Sequence, residues 1–381
     1  MQVSIYNEKK GNYESHKHMY YLKPVSGFLL ASLVSFFASI SALWLGETIL
    51  GFERSPISEI MMAIILGILV ANTIDLPDYF GSGLKFCTSF ILRFGIMLLG
   101  IRLSLFSAGK FTLIAIPFVL IAITVGLLVV RFLGKKMNLS LQLTGLIAIG
   151  TSICGATAIV AAAPIIKAKE TEVGYAIACI TIFGIVAMFS YPILGNFLFS
   201  DKPELAGLFL GVSIHETAQV AGAGMMYQTQ YNAPIALDYA TVTKLVRNLC
   251  MIAVIPIIGV IFTDRNQNMN NSEHSWIRMI PWFIFGFTAM SAIRSLGDIG
   301  DKAFMLIEKE QWLQIVSIIK LTAEKFLLLA MSAIGLTTLF SGMKKIGIKP
   351  FILGLFAAVL VGMTGLITIY FFADGVISFF E

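Results

Sequence analysis

A carboxylate, an imidazole and a carboxamide sit close together in an otherwise apolar run, Gly211-Val-Ser-Ile-His215-Glu216-Thr217-Ala-Gln219-Val-Ala-Gly222. Ionisable groups within membrane-spanning sequence are costly, and by default they mark a pathway or a binding site. Glu216 could carry a proton, bind Na⁺ or balance a buried arginine. His215 is the one side chain here of a type whose unperturbed pKa lies near neutrality, so it could relay a proton. On a continuous helix Ser213, Glu216, Thr217 and Val220 share one face, with His215 and Gln219 as a pair beside it. His215, Glu216 and Thr217 are therefore the candidate ion-coupling residues, with Ser213 and Gln219 lining the substrate.

A second constellation is Gly150-Thr151-Ser152-Ile153-Cys154-Gly155-Ala156-Thr157. Glycine, serine and threonine at this density weaken a helix. In a membrane an interrupted helix is tolerated where it lines a cavity or is buried in protein. A break presents peptide N–H groups at the start of a half-helix, which favour an anion. Thr151, Ser152, Cys154, Gly155 and Thr157 are thus candidate substrate contacts. The competing reading is close helix packing, which the flanking Ala158 and Ala161 to Ala163 also suit.

The third constellation is cationic. Arg93 shares a stripe with Lys85 and Ser89. Lys244 and Asn248 pair behind Thr241, and Thr243 and Arg247 pair on the next stripe. Arg102 and Arg294 lie nearer span ends and are expected to snorkel to the interface. Arg93, Lys244 and Arg247 outnumber Glu216, so an anionic substrate would restore balance. The planar guanidinium fork suits an oxyanion. The alternative is that Lys244 and Arg247 lie nearer the aqueous face.

The elements that must position these residues are set by composition. Of 381 residues, 57% are hydrophobic and 13% charged, with a net charge of +5. Soluble domains carry roughly twice that charged fraction, so lipid is the solvent. Lys and Arg are scattered between apolar blocks and not clustered, which disfavours a basic nucleic-acid face. Apolar windows of spanning length fall at 26–47, 57–75, 86–107, 111–131, 141–166, 173–198, 204–226, 236–263, 277–295, 321–341 and 350–373. This is an all-α polytopic membrane protein with about eleven transmembrane helices.

The charges of Arg131, Lys135, Lys136, Arg265, Arg278, Lys344, Lys345 and Lys349 place their loops and the N-terminus in the cytoplasm. Residues 1–25 read as a cytoplasmic polar tail and 26–381 as one transmembrane domain. Trp276 and Trp282 serve as interfacial anchors, and 301–320 reads as an amphipathic interfacial helix. Cys87, Cys154, Cys179 and Cys250 have no metal or redox spacing. No Walker A loop, HExxH helix or GxSxG elbow is present, which disfavours an ATP-driven pump or an intramembrane protease. No cofactor, metal or catalytic pair is expected, and the chain reads as no enzyme.

Two internal echoes suggest an inverted repeat of the kind secondary transporters use. Gly150-Thr-Ser-Ile-Cys-Gly-Ala-Thr parallels Gly211-Val-Ser-Ile-His-Glu-Thr-Ala, and more weakly Ile91-Leu-Arg-Phe-Gly-Ile-Met-Leu-Leu parallels Leu328-Leu-Ala-Met-Ser-Ala-Ile-Gly-Leu. The glycine-broken helices are expected to meet at the midplane. Together with Leu92-Arg-Phe-Gly-Ile-Met-Leu-Leu-Gly100 and Pro281-Trp-Phe-Ile-Phe-Gly286, the two motifs resemble the YeiH-type family of bacterial inner-membrane proteins, named for proposed sulfate export. The resemblance runs from about residue 25 to the C-terminus, and its specific part is the two glycine-flanked motifs. It implies a bacterial inner-membrane secondary transporter of sulfate or a related oxyanion or sulfonate. It assigns no chemistry to single residues. The expected partners are a small anionic solute, coupling H⁺ or Na⁺, the bilayer and further copies of the chain, with no nucleic acid. Two alternatives remain: a cation/proton exchanger using Glu216, and an anion channel.

Overall fold

The computed structural model describes residues 25–49, 58–261, 282–300, 302–339 and 348–380. The polar tail and the basic loops at 264–276 and 342–347 lie outside the described residues. Five described helices are long and apolar enough to cross a membrane: α1 (Val25–Ile49), α3 (Asp78–Arg102), α4 (Leu105–Lys136), α7 (Glu170–Phe199) and α14 (Ile348–Phe380). Three shorter apolar helices, α2 (Glu59–Thr73), α5 (Leu141–Ser152) and α8 (Pro203–Ser213), accompany them. Bulky apolar side chains such as Phe106, Phe132 and Phe197 point outward. A lipid solvent permits this because helices satisfy their own backbone.

The chain forms two compact units, one of residues up to Gly95 with Glu324–Phe340, the other of Ile96–Ala323 with Ser341–Glu381. The first packs Ala31, Val34, Leu84, Cys87, Ile91, Leu329, Ala333 and Leu336 into one core. Its helices meet at glycines. A β-carbon at Gly67 would lie 2.8 Å from Gly335 Cα, so these backbones touch as small-residue membrane interfaces do. Ser35 and Ser332 hydrogen-bond across the same unit at 2.8 Å.

The second unit holds the two glycine-flanked motifs. The apolar window at 141–166 is two helices, α5 and α6 (Ala156–Ala162), with turns at 153–155 between them. A β-carbon at Gly150 would meet Ile159 Cδ1 at 2.8 Å, so α6 lies back against the end of α5. The window at 204–226 likewise divides into α8 and α9 (Thr217–Tyr231). Both pack on α10 (Pro234–Leu249). Gly207 abuts Ala236 and Gly211 abuts Ala240 and Thr243, so α8 runs parallel to α10. Gly224 abuts Leu237, and Asn248 bonds Thr217, so α9 runs antiparallel to it. The chain therefore doubles back at 214–216.

Two expectations change here. Ser213 ends one helix and Thr217 begins another, so Ser213, Glu216, Thr217 and Val220 do not share one continuous face. The described part of 301–320, residues 302–320, is a short hairpin, Lys302–Ala303 with Ile307–Glu308, followed by the start of α13 (Lys309–Thr337). Trp312 is buried against Ile101, Ala303 and Val316 instead of lying free at an interface. Before the hairpin, α12 (Trp282–Gly297) leads to Asp298, whose carboxylate takes hydrogen bonds from Arg294 and the Trp312 indole.

Candidate functional site

The site is the place where both fold-backs meet α10. A helix leaves its last four carbonyls without intrahelical partners and carries partial negative charge there. Arg247 and Lys244, both fully buried, supply the missing donors. Arg247 donates from Nε to Ser152 O at 2.8 Å and from Nη2 to Thr151 O, both at the end of α5. Its Nη1 donates to Val212 O at 2.6 Å and Ile214 O at 2.9 Å, at the end of α8. Lys244 Nζ donates to Ile153 O at 2.8 Å, Ile214 O at 2.9 Å and His215 O. One guanidinium and one ammonium thus tie together two interrupted helices. A buried charge is tolerable only when it is paired and hydrogen-bonded. Here the partners are carbonyl dipoles.

The opposite ends converge on Glu216. Its Oε1 accepts from the Ala156 peptide N–H at 3.3 Å, at the start of α6. The carboxylate also accepts from the Gln219 peptide N–H, while Gln219 Oε1 accepts from the Glu216 N–H at 3.3 Å, a reciprocal capping box. Gln219 Nε2 donates to Thr181 O at 3.3 Å, so both ends of this amide are engaged. Glu216 and Thr217 are half-buried among buried neighbours, and Thr157 is exposed.

Several polar atoms here have no hydrogen-bond partner among the described residues: Ser152 Oγ, Ser213 Oγ, His215 Nε2, Thr243 Oγ1 and Asn248 Oδ1. His215 Nδ1 lies 3.2 Å from Thr151 O. A carbonyl only accepts, so Nδ1 carries the hydrogen. Ser152 and Ser213 close equivalent half-helices, and each faces a glycine. A β-carbon at Gly126 would meet Ser152 Oγ at 2.2 Å, and one at Gly365 would meet Ser213 Oγ at 2.5 Å. Thr151 Oγ1 bonds back to Ile147 O at 2.9 Å. The Cys154 thiol contacts Met251 Sδ at 3.0 Å.

The structure thus brings Thr151, Ser152, Cys154, Gly155, Ser213, His215, Glu216, Thr217, Gln219, Lys244 and Arg247 into one cluster. The free guanidinium fork expected for an oxyanion is instead spent: four Arg247 donor bonds and all three Lys244 bonds go to carbonyls. Arg93 belongs to the other unit. It is half-buried and has no ion pair or hydrogen bond among the described residues. Arg102 does not snorkel. It pairs with Asp238 at 2.6 Å, with only 8% and 13% of the two side chains exposed.

Sequence reasoning missed that pair, because Arg102 and Asp238 are 136 positions apart. It also missed Gly126 and Gly365. The small-residue spacing of Gly354, Ala358 and Gly362 with Gly365 was the available signal, since such patterns mark close helix contacts in membranes.

The family described as conserved hypothetical protein 698 matches residues 26–354. The chain is similar to a UPF0324 membrane protein of Bacillus anthracis, 35% identical over 82% of this chain and 86% of that protein. It is similar to the UPF0324 inner membrane protein YeiH of Escherichia coli K12, 33% identical over 84% of this chain and 88% of that one. A Pasteurella multocida UPF0324 membrane protein is 35% identical over 79% of this chain and 84% of its own length. No solved structure shows a significant match. The chain is a membrane protein and belongs to the conserved hypothetical protein 698 family, the UPF0324 membrane proteins.

Proposed function

We propose that the protein is a secondary active transporter of a small anion, sulfate or a related oxyanion or sulfonate, coupled to H⁺ or Na⁺ at Glu216, and that it is a carrier and not an enzyme. The observation that carries this reading is the meeting of two interrupted helices on Arg247 and Lys244. Discontinuous helices whose ends converge on one site are how secondary transporters hold solute and coupling ion. The negative helix ends are neutralised by the two cations. The positive ends, at the start of α6 and α9, are served by Glu216.

An incoming anion seeks the same peptide N–H groups that Glu216 occupies. Protonating Glu216 releases them. Anion binding and carboxylate protonation are thereby linked through shared donors, which is the elementary requirement for coupling. Lys244 and Arg247 act at one remove, by holding the breaks in place. The N-terminus and the loops at 131–138, 264–276 and 342–349 belong in the cytoplasm on this reading, from their Lys and Arg content.

Counterflow in reconstituted vesicles tests the proposal. Labelled sulfate, sulfite or 2-hydroxyethanesulfonate should exchange faster when the same anion is present on the far side. Flux indifferent to the far side would indicate a channel, and flux of Na⁺ or Li⁺ in place of every anion would indicate a cation exchanger.

A further inference from the structure

The three carbonyls around Lys244 come from two separate breaks in the fold: Ile153 O, at 2.8 Å, from the first, and Ile214 O, at 2.9 Å, with His215 O from the second. Carbonyls freed at an unwound segment, together with half-helix C-terminal ends, are the ligand set with which transporters coordinate Na⁺. We infer that the Lys244 ammonium is a tethered substitute for an alkali cation in this carbonyl cage, so that the carrier works without Na⁺ and its coupling ion is the proton. The cage assignment stands on geometry alone; the coupling half rests on the transporter reading above.

The substitution is chemically matched. An ammonium is a compact single positive charge with three donors, and here each donor meets one carbonyl. Being covalently held, it needs no ion from solution. The surroundings also exclude a second cation at the same point. Arg247 takes the neighbouring carbonyls of Thr151, Ser152 and Val212 and shares Ile214 O with Lys244. The ionisable groups around Lys244 are Arg247, Cys154 and Glu216, with His215 bonded through its own carbonyl. A Na⁺ seated among two fixed cations would meet repulsion from both. Glu216 is the one carboxylate in this cluster, and its partners are peptide N–H groups, the wrong polarity for a metal ion.

The inference predicts that removing the ammonium creates an alkali-cation site. Purified wild-type protein and the Lys244→Ala and Lys244→Ser variants would be melted in LiCl, NaCl, KCl and N-methyl-D-glucamine chloride at constant ionic strength. Wild type should show the same Tm in all four salts. Each variant should melt lower in N-methyl-D-glucamine and recover by several degrees, saturably, with one of the alkali cations. The serine variant, which adds an oxygen ligand, should saturate at the lower concentration. A saturable Na⁺ stabilisation of wild type would overturn the inference, as would variants that fold but respond to no cation. If neither variant folds, wild-type substrate flux with Na⁺ fully replaced decides: unchanged flux supports the inference and lost flux overturns it. Absence of flux for every anion would sink the transporter reading while leaving the melting result to judge the cage.

Discussion

Gly155 and Glu216 meet side by side at the junction of the two fold-backs: a β-carbon built on Gly155 would lie 2.3 Å from Glu216 Cγ and 2.9 Å from its Oε1. Gly155 also has φ +60, a conformation that non-glycine residues adopt only under strain. Gly155→Ala should therefore cost about 1–3 kcal/mol from backbone strain alone, and it should displace the Glu216 carboxylate from Ala156. The expected result is a lower Tm together with lost anion accumulation. A variant with wild-type Tm and transport would show that the carboxylate does not need this contact.

Glu216→Gln keeps the shape of the side chain and removes its charge. The variant should still bind and exchange the anion, because the peptide donors of α6 and α9 are freed from a competing carboxylate. It should not concentrate anion against a gradient, and its pH profile should flatten as the titrating group is lost. Vesicles that still accumulate substrate with an unaltered pH profile would reduce Glu216 to a structural cap.

Arg247→Lys should fail almost as completely as Arg247→Ala. An ammonium has three donors and no planar fork, so it cannot hold the four carbonyls of Thr151, Ser152, Val212 and Ile214 that the guanidinium holds together. Orphaned buried carbonyls cost about 1–3 kcal/mol each, so the loss should appear in Tm as well as in flux. A lysine variant that melts and transports like wild type would show that the shared clamp is dispensable.

Asp298 gives a pH signature outside the spanning segments. Burial pushes its carboxyl up, but hydrogen bonds from Arg294 and the Trp312 indole outweigh this and hold its pKa below the ordinary value. A depressed carboxylate contributes stability that is present above its unfolded pKa and is lost as pH falls through the folded value. The Tm gap between wild type and Asp298→Asn should be constant near neutrality and narrow on acidification below about pH 4. A gap that widens in acid would reverse the assignment.

The membrane class, the interruption at 153–155 and the polar residues that gather around α10 were legible in the sequence. Composition and a carboxylate in an apolar run are local signals. What Lys244 and Arg247 bond to was not legible, because their partners are carbonyls, and every residue has one. Only the fold decides which carbonyls are left over. The same holds for the doubling back at 214–216. An apolar window such as 204–226 has the length of one span whether it continues or returns. The unpaired hydroxyls of Ser152 and Ser213 face glycines in α4 and α14, far along the chain, so their surroundings are a product of packing.

The shared cations have a mechanical consequence. Ile214 O is held by Arg247 and Lys244 at once, and each cation also holds carbonyls of the first break. Neither tip can swing away by itself without stripping partners from a buried charge. A gate made of one tip is therefore closed off energetically. A motion that keeps both cations paired carries the ends of α5 and α8 together with α10.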